Sequence, residues 1–343
     1  MKTNRMLAAN PYTPDLGAKL TFLRRPVAFP GPPRCVEVVE THLSWVFLTE
    51  DRVYKLKKPI AHEHVDLTTI EGRHKNCLEE LRLNRRLAPQ IYLDVVPLTL
   101  ASDRGLRLGG DGPAVDWLVV MKRLPREATL QARLPGGLVS PQDIERIADR
   151  LASFYRAAVP APTDPDQYYQ RFVDRIDRES ETLLDQRFGL PAAQIRGAAS
   201  RARAFLDRHR DMLCARAQDG RIVEAHGDLR PEHIFLMPEP VIIDCLEFSR
   251  DLRLLDPAEE LGYLAMECAH LGARWVRDTL FAAYRAHSED MAPAALIDFY
   301  WITRALLRAR LAIAHFKDEV VRDPTKWRRQ ALGYLDLANE GSG

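Results

Sequence analysis

Residues 36–58 alternate apolar and polar positions in two runs rich in β-branched and aromatic side chains, interrupted at Thr49-Glu50-Asp51. That pattern predicts a β-hairpin. The period then lengthens, with Leu78, Leu81 and Leu87 recurring at helical spacing through the charged segment 70–87 ahead of Pro89, which predicts one helix. Strands are expected at 93–100 and 117–122, on either side of the turn-rich segment 105–113. Beyond Pro125 and Leu134-Pro135-Gly136-Gly137 the pattern becomes helical, over 141–158, 168–188, 192–217, 257–268, 273–287, 294–316 and 324–339. Only 221–244 interrupts it with short apolar runs around a polar loop. Residues 26–34 carry too much Pro and Gly for a helix or central strand. The expected organisation is a leader over 1–34, a β-rich unit over 35–124 and a helical unit over 125–343.

Composition narrows the class. A chain of 343 residues, 46% hydrophobic, can bury a core in each of two units. Lys+Arg of 49 against Asp+Glu of 48 leaves a net charge of +1, which provides no general attraction to nucleic acid or an anionic membrane. Affinity for an anion must come from a local site. The five cysteines have no CxxC or zinc-like spacing, no eighteen-residue apolar run occurs, and Met1 to Arg25 lacks a signal-peptide core. These features predict a cytoplasmic protein with reduced thiols; its oligomeric state is not readable from them. No HxxxH or HExxH pair groups the histidines for a metal.

The polar loop reads Ile222-Val223-Glu224-Ala225-His226-Gly227-Asp228-Leu229-Arg230-Pro231-Glu232-His233-Ile234-Phe235, followed by Val241-Ile242-Ile243-Asp244. Phosphoryl transfer needs a carboxylate to orient the acceptor hydroxyl and ligands that hold a metal against the phosphates. Asp228 suits the first role and Asp244 the second. HGDLRPEHIF with IID resembles the aminoglycoside phosphotransferase-like family, relatives of protein kinases, and SWVFL, VYKLKKP, LNRRLAP and IDCLEF resemble an uncharacterised bacterial branch of it, over roughly residues 35–315. The resemblance implies an α+β, bilobal protein-kinase-like fold with a hinge near 119–124 and ATP·Mg²⁺ between the lobes. It also implies transfer of the γ-phosphate to a hydroxyl of a small molecule. Asp228 becomes the base, Asp244 the principal metal ligand and His226 a brace for the loop. His233 stands where the family loop has a metal-ligating Asn.

The same resemblance places nucleotide-binding residues in the N-terminal unit. A third-strand lysine should reach the phosphates and be held by a helix glutamate. Lys55, Lys57 and Lys58 compete for that role, and strand alternation with Val53 two positions earlier favours Lys55; Glu80 is preferred over Glu79. No GxGxxG or Walker A sequence occurs, so Thr41 to Trp45, with the Ser44 hydroxyl, is expected over the phosphates. Val120 and Met121 fall in the hinge. On the acceptor side, Arg304 and Arg308 are four apart on a helix and suit an anion, while Glu259, Glu260 and Glu267 offer acids on another. Alternatives are a nucleotide-binding pseudokinase, or a kinase whose acceptor is a protein or a sugar-like metabolite.

Overall fold

The computed structural model describes residues 14–317 and 323–340, and it divides into two compact units, residues up to Pro125 with Glu247–Ser249, and Arg126–Leu246 with the chain from Arg250 onward. The expected boundary at 124/125 is displaced by one residue, and a three-residue segment from the C-terminal half packs with the N-terminal unit. Residues 1–13 of the expected leader lie outside the described residues.

The remainder of that leader is structured. Asp15 caps helix α1 (Leu16–Leu23), accepting from the Ala18 amide at 2.7 Å. Leu23, Ala28 and Phe29 enter the core of the N-terminal unit with Phe47, Leu56, Leu98 and Leu118. Lys19 is 5% exposed and reaches Asp116 at 2.8 Å, where Arg73 also binds at 2.8 Å. Such a buried triad leaves a costly uncompensated charge if one member is removed, so it fixes α1 in place.

The sheet of this unit is antiparallel throughout. Its strands are β1 (Glu37–Glu40), β2 (Ser44–Leu48) and β3 (Arg52–Lys57), then, after a two-residue pair β4 (Ala61–His62) and β5 (Val65–Asp66), β6 (Tyr92–Leu100), β7 (Leu106–Leu108) and β8 (Ala114–Lys122). The spatial order is β1-β2-β3-β8-β6-β7. The expected hairpin at 49–51 joins β2 to β3, and β1 splits from the same run through a turn in which the Thr41 amide donates to the Ser44 carbonyl at 2.8 Å. Helix α2 (Ile70–Asn84), capped by Thr69, packs on β8 and β6.

The C-terminal unit is mainly helical: the short α3 (Leu130–Arg133), α4 (Pro141–Ala157), α5 (Pro165–Leu183) and α6 (Ala192–Gln218), then α7 (Pro257–His270), α8 (Val276–His287), α9 (Ala294–Ala314) and α10 (Pro324–Asn339). Between α6 and α7 lie four two-residue strands, β9 (Val223–Glu224), β10 (Ile234–Phe235), β11 (Val241–Ile242) and β12 (Leu254–Leu255). β10 pairs with β11 and β12 with β9, which brings the two aspartate-bearing turns together. Asp256 caps α7 through the Ala258 amide at 2.8 Å and binds Arg216 at 2.6 Å, and Pro257 occupies the first helical position. No helix among the described residues is long and apolar enough to cross a membrane.

Candidate active site

The β9–β10 loop carries Asp228, and Asp244 stands two residues beyond β11. Gly227 has φ +89°, and a Cβ there would meet Arg253 Cγ and Leu246 Cβ, each at 3.0 Å, so only glycine fits the approach to Asp228. Asp244 itself has φ 63°, a left-handed conformation uncommon for a residue with a side chain. Surrounding pairings hold that backbone, since the Ile243 amide donates to His233 O and the Leu246 amide to His226 O, both at 3.0 Å.

Two histidines bind the turns to each other. His226 is fully buried; its Nδ1 accepts the Asp228 amide at 3.3 Å, so its Nε2 carries the proton donated to Ile243 O at 2.9 Å. Burial and the neighbouring His233 depress its pKa to about 4, which keeps this tautomer neutral. His233 donates from Nδ1 to Asp228 O at 2.8 Å, which leaves the Nε2 lone pair 3.5 Å from Asp244 Oδ2.

A third clamp comes from α7. Glu260, fully buried, accepts the Gly227 amide at 2.6 Å, the His226 amide at 3.1 Å and the Tyr155 hydroxyl at 2.7 Å. The sequence presents Glu260 as an acceptor-side acid, and the structure instead spends its carboxylate on the loop backbone. Tyr263, one turn further, donates to Asp228 Oδ1 at 3.0 Å. No sequence signal singles it out. Asp228 Oδ2 lies 3.7 Å from Arg230 and 3.8 Å from His233, beyond hydrogen-bond range, so this oxygen remains available to a hydroxyl. Burial raises the Asp228 pKa, but Arg230, His233 and Arg308 outweigh it and hold the carboxyl below its ordinary value.

In the N-terminal unit, Glu80 serves two of the three competing lysines, Lys55 at 2.7 Å and Lys57 at 2.5 Å, while Lys58 pairs with Glu40 at 2.6 Å. Lys57 is 1% exposed and also binds Glu247 at 2.5 Å, while the two acids raise its pKa above the usual lysine value against the effect of burial. Alternation favours Lys55, and the structure adds Lys57 as the more deeply held partner. Val53 and Met121 face each other across β3 and β8, both buried. Ser44 is buried opposite Lys57 in the β2–β3 register, and its amide donates to Thr41 Oγ1 at 3.0 Å.

The acceptor-side arginines are engaged inside the C-terminal unit. Arg304 is 5% exposed, 2.9 Å from Glu259, and stacks 5.0 Å from the Tyr263 ring. Arg308 lies 2.6 Å from Glu267 and donates to the Tyr334 hydroxyl at 3.2 Å. Among the described residues no group of three or more His, Cys, Asp or Glu is placed to hold a metal ion. His233 and Asp244 therefore stand as a pair.

Known structures with this architecture are kinase-like. A choline/ethanolamine kinase family protein from Mesorhizobium loti shares 16% identity at a TM-score of 0.55, covering 94% of this chain and 100% of that one. The GDP complex of aminoglycoside 2′-phosphotransferase-IIIa shares 16% identity at a TM-score of 0.51, covering 94% and 97% respectively. The fold is thus that of the kinase-like phosphotransferases. Residues 49–297 match the phosphotransferase enzyme family, and the chain belongs to that family. Among curated proteins, uncharacterized proteins of Mycobacterium tuberculosis and Mycobacterium bovis are each 33% identical over 311 residues, or 88% of this chain. The chain spans 60% of the length of these relatives.

Proposed function

We propose that the protein transfers the γ-phosphate of ATP to a hydroxyl of a small molecule in the cytoplasm. The observation that carries this reading is the doubly tied loop. His226 links the Asp228 amide to the residue before Asp244, and His233 holds the Asp228 carbonyl with its Nε2 3.5 Å from the Asp244 carboxylate. Phosphoryl transfer asks the protein mainly for positioning and electrostatics. Asp228 meets the first need, with one oxygen fixed by Tyr263 and the other open. Because its pKa is lowered, Asp228 orients the hydroxyl and accepts the proton only as the bond to phosphorus forms.

Lys55 and Lys57, with Glu80, are assigned to the nucleotide phosphates, Val53 and Met121 to the purine, and the Thr41–Ser44 turn to the phosphate cover. A divalent ion, when bound, neutralises charge on the transferring phosphate. Two ligands about 2.1 Å from one ion lie roughly 3.0–3.4 Å apart. The His233–Asp244 spacing of 3.5 Å lies just beyond the upper end of that range. The donor set, one imidazole and one carboxylate, suits a borderline ion such as Mn²⁺ at least as well as Mg²⁺. The same imidazole favours a second reading, a nucleotide-binding protein with little turnover. Release of ADP from ATP and of GDP from GTP, measured for wild type and Asp228→Ala, separates the two: turnover lost in the variant supports transfer, and nucleotide binding with no Asp228-dependent turnover supports the second.

A further inference from the structure

Two residues beyond the proposed base, Arg230 lines a cavity of about 350 Å³ that is otherwise bounded by α9, its C-terminal end and α10. We infer that this cavity is the acceptor site and that it takes a small hydroxylated anion, a carboxylate or a phosphate monoester. The inference rests on the transfer reading above and adds the class of substrate.

Charge carries the argument. Arg230, Arg308 and Lys326 line the cavity, and among the described residues no aspartate or glutamate does. The acids that pair with the arginines, Glu232 at 2.5 Å and Glu267 at 2.6 Å, are not part of its wall. Lys326 is exposed and sits 4.7 Å from the Trp327 ring, with no described carboxylate in ion-pair range. Among the described residues that line the cavity, its charge is the one with no carboxylate paired to it. The α7 acids that could greet a cation are committed elsewhere: Glu259 to Arg175 and Arg304, Glu260 to the loop amides, and Glu267 to Arg308 and Tyr334.

Position and shape agree. Arg230 Nη1 lies 3.7 Å from Asp228 Oδ2, so a hydroxyl on a molecule held by the Arg230 side of the cavity is close to the oxygen left open. Trp327 stacks on His315 at 3.8 Å and Tyr334 on His270 at 4.1 Å, which gives two walls rigid faces suited to a sugar ring. The volume is at the small end of ligand pockets. It suits a single ring or short polyol better than a linked oligosaccharide.

The test uses the full chain and four probes of similar size: gluconate, glucose 6-phosphate, glucose and glucosamine. Binding is read by calorimetry without nucleotide, and transfer by ADP release with ATP, for wild type and Lys326→Glu. One of the two anions should bind with at least about ten-fold higher affinity than glucose, and Lys326→Glu should abolish that preference while leaving the KM for ATP unchanged. The gluconate and glucose 6-phosphate arms tell a carboxylate from a phosphate monoester. Preference for glucosamine, an anion preference insensitive to Lys326→Glu, or no anion binding at millimolar concentration overturns the inference. Lys326-dependent anion binding without ADP release instead sinks the transfer reading and leaves the site standing.

Discussion

Replacing Glu260 by glutamine keeps the side chain's shape and removes its charge. Both carboxylate oxygens now accept, from the Gly227 amide at 2.6 Å, the His226 amide at 3.1 Å and the Tyr155 hydroxyl at 2.7 Å. A glutamine keeps one acceptor oxygen, and its NH₂ must face a backbone N–H whichever way the amide turns. At least one hydrogen bond to a charged group is lost, worth about 1.5–3 kcal/mol, and a buried N–H is left without an acceptor at a further cost of about 1–3 kcal/mol. Some of this is recovered because the Tyr155 hydroxyl can turn to accept, so a net loss of about 3 kcal/mol is expected. The damage falls on the segment that aims Asp228. Hydrogen exchange of the 224–230 backbone should therefore accelerate by roughly two orders of magnitude, and kcat should fall steeply while nucleotide affinity holds. Tyr155→Phe is the internal control, since it removes one donor to the carboxylate but leaves both backbone amides bonded, and should cost about 1.5 kcal/mol. Unchanged exchange in Glu260→Gln, or equal effects of the two variants, would refute the clamp.

Three further outcomes follow from the same geometry. Tyr263→Phe removes the donor to Asp228 Oδ1, so the acid limb of kcat/KM should move up by about one pH unit or less and kcat should drop about ten-fold; a pH profile superimposable on wild type would count against it. Arg304, Arg175 and Arg171 outweigh burial and hold Glu259 at about 2, against an ordinary value of 4.5. A depressed carboxyl contributes stability that is present above the unfolded value and lost as pH falls through the folded one, so up to about 3 kcal/mol should disappear between about pH 4.5 and 2. Urea unfolding across that window should show a shallower acid dependence for Glu259→Gln than for wild type. His233→Asn exchanges imidazole for an amide oxygen and should shift metal preference toward Mg²⁺, read both by Mn²⁺ binding in paramagnetic resonance, with loss of nitrogen coupling, and by turnover; an unaltered Mn²⁺ spectrum removes His233 from the metal site.

Much of the fold is written locally. The β2–β3 hairpin declares itself through Thr49-Glu50-Asp51, and the long helices through period and caps such as Thr69 on α2 and Asp256-Pro257 on α7. Helix α1 is obscured because Leu16–Leu23 is only eight residues long, with little contrast between its faces, and the Pro-rich stretch behind it reads as irregular. The site divides the same way. Asp228, Asp244 and the two histidines fall within nineteen residues, so their spacing is legible. Glu260 and Tyr263 reach the loop from 33 and 35 residues away, and Glu247 meets Lys57 across 190. Nothing in local pattern distinguishes such residues from ordinary helix or loop residues; only the tertiary fold assigns them.

The most direct test of Asp228 as the group that orients the acceptor is a single-turnover experiment with radiolabelled γ-phosphate ATP and whichever acceptor the charge-matched probes select, comparing wild type with Asp228→Asn. The account predicts equal ATP affinity in the two proteins, by titration, and a transfer rate in the variant lower by about two to four orders of magnitude. Transfer at the wild-type rate in Asp228→Asn would contradict it.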